Sequence, residues 1–138
     1  MQLRELNITA PLSNIPKSIG KLKHLEWIYV SSIEKIDALP KEFCDLLSLN
    51  SLELLHTSKI KSLPNAFGNL RNLEHIKLSK PIIWSLPNSF GNLVRLKYLE
   101  LSGASKIKSL QDSFGNLSSL EHIDLFSATN LEQLTNSF

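Results

Sequence analysis

The chain restates one phrase at a fixed step. SLPNAFGNL at 62–70 returns as SLPNSFGNL at 85–93 and as SLQDSFGNL at 109–117. Aligning on it reveals three ladders of apolar residues. One runs Ile15, Leu39, Leu63, Leu86, Leu110, Leu134; a second runs Leu3, Leu25, Leu49, Leu73, Leu96, Leu120; a third runs Ile19, Phe43, Phe67, Phe90, Phe114, Phe138. All three climb by 22 to 24 residues per step. Self-similarity at such a period is the signature of a solenoid, in which no unit can bury its own apolar face and its neighbours must cover it.

The unit reads L-x-x-L-x-L, a variable turn, I-x-x-L-P, then x-x-F-G-N-L-x-x. It divides a single domain at 3–24, 25–48, 49–72, 73–95, 96–119 and 120–138, the last truncated at Phe138. The first unit is two residues short in the turn after Ile8, and the fourth is one short at 80–83. Alternation at the end of L-x-x-L-x-L, as in Leu99-Glu100-Leu101, predicts a short strand with one buried face. Strands one repeat apart run the same way and stack as a parallel sheet, each about 4.8 Å from the next.

The restated phrase predicts the opposite side. Pro16, Pro40, Pro64 and Pro87 suit the entrance of a helical turn, where a missing N–H costs nothing. Gly20, Gly68, Gly91 and Gly115 suit its exit, where φ is free to be positive. Phe67, Phe90 and Phe114 are expected to point inward as a spine. Asn69, Asn92 and Asn116 are expected to bond backbone through their amides. Gln111 and Thr135 replace the proline, which predicts looser turns there.

This pattern is that of the leucine-rich repeat. It implies an α/β-type solenoid arc with short parallel strands on the concave side. Turns and short 3-10 helical segments make the convex side. The stretch LEHIKLSKPIIWSLPNSFGNLVRLKYLELSGASKIKSLQDSFGNLSSLEHIDLF resembles the repeats of plant intracellular immune receptors of the nucleotide-binding leucine-rich-repeat class. The likeness is greatest to the branch with a Toll/interleukin-receptor domain. It implies a sensor segment that binds a protein ligand in plant defence and innate immunity. Two features depart from that family. Its usual cysteine after the strand is replaced by Ile33, Thr57, Pro81, Ala104 and Ala128, through drift or engineering. The chain also carries no G-x-x-x-x-G-K-[ST] loop. The same place lacks the asparagine of extracellular plant repeats, which argues against a receptor-kinase ectodomain.

On the concave sheet the x positions sort into columns. The first is Arg4, Glu26, Asn50, Glu74, Lys97, Glu121; the second Glu5, Trp27, Ser51, His75, Tyr98, His122; the third Asn7, Tyr29, Glu53, Lys77, Glu100, Asp124. Large amphipathic rings gathered on one exposed face suit protein recognition. The expected ligand-binding residues are therefore Trp27, Tyr29, Glu53, His75, Lys77, Tyr98, Glu100, His122 and Asp124. Seven carboxylates against three bases leave these columns at −4, within a chain of net charge +2. Lys35, Lys59, Lys61, Lys106 and Lys108 recur beside the isoleucine after the strand and predict a basic rim. That rim either orients a partner or keeps the edge soluble. Trp84 is either a packed edge residue or a lateral contact.

No catalytic, cofactor or metal site is expected. His75 and His122 share a column two repeats apart, about 10 Å, too far for one zinc. His24 is expected on the convex side, and His56 adds no ligand set. Glu100 and Asp124 adjoin, but no cleft is evident that would tune them for catalysis. Cys44 follows Phe43 and reads as a small core or turn residue. As the only cysteine it permits no intrachain disulfide, which with the resemblance points to the cytoplasm. The sequons at Asn7 and Asn116 read as chance. No apolar stretch is long enough to cross a bilayer, and the modest charge does not suggest nucleic acid. Neither end is polar enough to shield a leucine layer, so end-to-end self-association, as of an excised fragment or engineered scaffold, is the competing expectation.

Overall fold

The computed structural model describes residues 1–136. Six short strands appear, one per repeat: β1 Glu5–Ile8, β2 Trp27–Val30, β3 Ser51–Leu54, β4 His75–Leu78, β5 Tyr98–Glu100 and β6 His122–Asp124. They form a single parallel sheet in sequence order. The register is that of the repeat, so Trp27 pairs with Ser51, Ser51 with His75, His75 with Tyr98, and Tyr98 with His122. Alternate residues point inward. Ile28, Leu52, Ile76 and Leu99 are buried under the sheet, as the alternation requires.

The convex side is a stack of 3-10 turns at Lys17–Lys21, Lys41–Asp45, Phe67–Asn69, Asn88–Asn92 and Asp112–Asn116. Pro16, Pro40 and Pro87 stand at the caps with φ of −71°, −64° and −64°. Their carbonyls, and that of Pro64, accept from the N–H three residues on, at 2.9 to 3.0 Å. A proline loses nothing there, because its own N–H would have no helical partner. Phe67, Phe90 and Phe114 form the expected spine. Their rings stack at 5.9 and 5.7 Å, nearly parallel, and all three are buried. Phe138, the spine's expected last member, lies outside the described residues.

Four expectations about the turn need correction. The glycines of the phrase are not selected for positive φ. A Cβ at Gly20 would stand 2.6 Å from the Glu42 carbonyl oxygen, and one at Gly91 2.5 Å from that of Ser113. Gly68 would meet the Ser89 carbonyl oxygen closer still. Close approach of the next turn is the constraint. Positive φ is instead found at His56, Lys80, Ser127 and Gly103, in the variable turns. Second, Asn69, Asn92 and Asn116 hold the turn through their carbonyls, which accept from Arg71, Val94 and Ser118 N–H; their side chains are exposed. Cross-repeat amide contacts come from other positions, among them Asn72, whose Nδ2 donates to the Leu47 carbonyl at 2.8 Å, and Asn130, whose Nδ2 donates to the Ser105 carbonyl at 2.6 Å. Third, Gln111 does not loosen its turn. Its backbone takes the prolines' conformation, and its amide donates to the Leu86 carbonyl one repeat back. The turn after Thr135 reaches the residues that are not described. Fourth, Leu134 is 61% exposed rather than buried, since no strand after β6 covers it among the described residues.

The place of the family cysteine is used as packing. Ile33 and Ala104 are fully buried, and Pro81 is buried. Thr57 is buried too, with its hydroxyl satisfied by the Ser79 carbonyl at 2.8 Å. Cys44 is a buried free thiol beside the spine, as expected. Cover thins at the end layers, where Leu3, Leu6, Leu12 and Ile15, and Ile123, Leu125 and Leu131, are only half-buried.

Candidate recognition surface

Strand alternation places the second and third columns on the concave face, and the register aligns them across all six strands. The nine residues singled out above therefore share one surface. They do not make one continuous aromatic strip. Ser51 divides the rings into two groups.

Toward β1 and β2, Trp27 is 57% exposed. It shares a shallow hollow of about 170 Å³ with Glu5, Asn7, Tyr29, Ser51 and Glu53. Glu5, Asn7 and Ser51 line that hollow without having been singled out. Their place in the columns was visible, and the outward alternation that marked Glu53 applies to them equally. Toward β4 to β6, His75, Tyr98 and His122 form a run of tilted rings. Their centroids lie 6.1 and 6.4 Å apart. Tyr98 stands between the two histidines, which fits separate roles for them better than shared coordination. His75 is half-buried, and its Nε2 is shielded with no partner among the described residues.

The charges are arranged as well as counted. All three bases of the face are held by neighbouring carboxylates. Arg4 meets Glu26 at 2.7 Å, Lys97 meets Glu74 at 3.1 Å, and Lys77 lies 3.7 Å from Glu100. The hydrogen bond to Glu74, then its negative charge, raises the Lys97 pKa. Exposed pairs of this kind add little stability. Their effect is on the face, because Glu5, Glu53 and Glu121 remain outside any ion pair among the described residues. Asp124 accepts the Phe126 N–H at 2.8 Å. The surface is thus an acidic field set with aromatic rings. It can hold cationic and amphipathic groups and steer them in.

The basic rim exists, and its five lysines are exposed. Trp84 is exposed among them rather than packed, with the Lys106 Nζ 5.8 Å from its ring centroid. His24 and His56 are exposed away from the ring columns, His56 in the turn after β3.

Comparison with known proteins agrees with this architecture. The model of the leucine-rich repeat region matches residues 1–87 and 42–138. A leucine-rich-repeat protein of Leptospira interrogans superposes with a TM-score of 0.73 at 25% identity, over 97% of this chain and 42% of that one. The leucine-rich repeat domain of the type III effector XopL superposes at 0.71, with 20% identity over 98% of this chain and 64% of that one. The ectodomain of the plant membrane receptor kinase GASSHO1/SCHENGEN3 from Arabidopsis thaliana gives 0.52 at 25% identity, over 88% of this chain and 18% of that one. This chain thus spans less than two thirds of each. A search of curated proteins found no match. With the repeat, the strand register and a family match along the whole length in agreement, the chain belongs to the leucine-rich repeat family.

Proposed function

We propose that the chain is a protein-recognition module that holds a protein ligand on its concave face. On this reading it is the sensor segment of an intracellular plant immune receptor, working in the cytoplasm and without catalytic activity of its own. The observation that carries the binding site is the run His75–Tyr98–His122, aligned beside the acidic residues Glu53, Glu100 and Asp124. Rings fixed by a rigid sheet lose little conformational freedom on binding, and the acidic field favours a partner with a basic patch. Trp27 and Tyr29 offer a second anchor at the other end of the face. The immune assignment is supported by the wording of the repeats themselves.

The test is a binding selection against plant and pathogen proteins. Recovery of ligands that compete with one another supports an evolved site. Recovery of none favours the second reading, a self-associating or engineered scaffold. That reading rests on the half-covered apolar residues of the end layers and on exposed Phe126 and Leu134. Sedimentation that shows a monomer at every concentration removes it. A nucleotide-binding loop upstream in the source gene would establish the receptor class.

A further inference from the structure

The edge beyond the strands carries a second pattern, on a surface separate from the concave face. In the third, fourth and fifth repeats a buried isoleucine anchors the turn: Ile60, Ile83 and Ile107. Its two flanking residues are thereby turned outward. They are Lys59 and Lys61, then Ile82 and Trp84, then Lys106 and Lys108. An apolar pair stands between two cationic pairs.

Each part of this patch is joined to the next. Lys59, Lys61 and Ile82, with Asp37, line a hollow of about 310 Å³. Trp84 is 59% exposed, and Lys106 reaches over its ring. None of the four lysines joins an ion pair among the described residues. The stretches 58–61, 81–84 and 105–108 contain no carboxylate. Four cations outside any ion pair stand around an exposed indole, against the single carboxylates of Asp37 and Glu132 at the two ends of the patch. The excess of positive charge is complementary to a ligand that is anionic at both ends and apolar between. The cationic pairs are two repeats apart, about 10 Å at the parallel-strand spacing. Extended chain covers that distance in about three residues.

We propose that this edge is a docking surface for an acidic peptide segment of a partner protein, one with an apolar side chain between its carboxylates. The apolar side chain sits on Trp84 and Ile82, and the carboxylates face Lys59 and Lys61 on one side and Lys106 and Lys108 on the other. A single-stranded nucleic acid fits less well. The patch offers one ring rather than a series of stacking platforms, and no arginine fork for phosphate.

The test uses the full chain with Trp27→Phe, which leaves Trp84 as the sole tryptophan, and the synthetic peptide EDGFGED. Trp84 emission is expected to change saturably on titration and to weaken as salt rises. The pair K59E and K106E is expected to weaken binding about tenfold or more while thermal unfolding is unmoved. The charge-reversed peptide KKGFGKK should give no saturation. In the unsubstituted chain the Trp84 indole N–H resonance provides the same readout by NMR. Absence of saturation by either method overturns the proposal, as does equal binding of the reversed peptide. Tighter saturation by an oligothymidylate than by the acidic peptide also overturns it and makes the edge a nucleic-acid surface.

Discussion

The convex turns and the concave sheet come from the same repeat, yet they obey opposite rules. On the convex side each position is fixed by the next copy of itself. Phe90 stacks between Phe67 and Phe114, and Gly91 admits the Ser113 carbonyl. On the concave side the outward position of one strand touches the next without having to repeat it. Trp27, Ser51, His75 and Tyr98 succeed one another in a single column. Near-identity marks the side that builds the molecule, and variation marks the side that is free to meet another.

The sharpest way to break that contrast is to cut the spine. Phe90→Ala should cost about 3–5 kcal/mol by chemical denaturation, from lost burial and a cavity its stacked neighbours cannot close. A near-neutral value would show that the spine is not what holds the turns together. Gly91→Ala comes next, at about 1–3 kcal/mol, because its methyl group would press on a neighbouring backbone that has little room to move. If Gly91 were there only for chain flexibility, alanine would be neutral or stabilising.

A smaller effect belongs to Cys44. Burial, then the charge of Asp45, pushes its thiol up to about 11, whereas an unfolded thiol ionises at about 8.5. Over that interval the unfolded chain loses the proton and the folded chain keeps it. This contribution to stability is therefore full below about pH 8.5 and falls as pH rises to about 11. Thiol-reagent labelling at pH 8 should be slow in the folded chain and fast in denaturant. The smallest stability effects belong to the concave face, where Trp27→Ala, Tyr98→Ala and His122→Ala should each move stability by about 0.5 kcal/mol or less.

The periodic part of the fold was legible because repetition tests itself. A residue assigned to the sheet or the spine had to keep that place in every copy, and the register of β1 to β6 follows from the alignment alone. What failed was the chemistry inside the phrase. Sequence shows that Gly91 is glycine, not whether φ or a neighbouring carbonyl requires it. Gln111 lacks proline's ring but recovers the turn with an amide bond to another repeat, a contact no local rule predicts. For the surface, the columns were visible and their grouping was not. That Ser51 divides the rings, and that Lys77 and Lys97 are held by Glu100 and Glu74, depends on side-chain positions. Trp84 stayed undecided because its setting is made by Lys106, one repeat on.

The most direct test of the division between scaffold and recognition face is the affinity of one combined variant. Ligands recovered against the native chain would be measured by calorimetry against Trp27→Ala, Tyr98→Ala and His122→Ala together. The account predicts a loss of affinity of about tenfold or more with an almost unchanged thermal midpoint. Undiminished binding of every recovered ligand by the combined variant would contradict it.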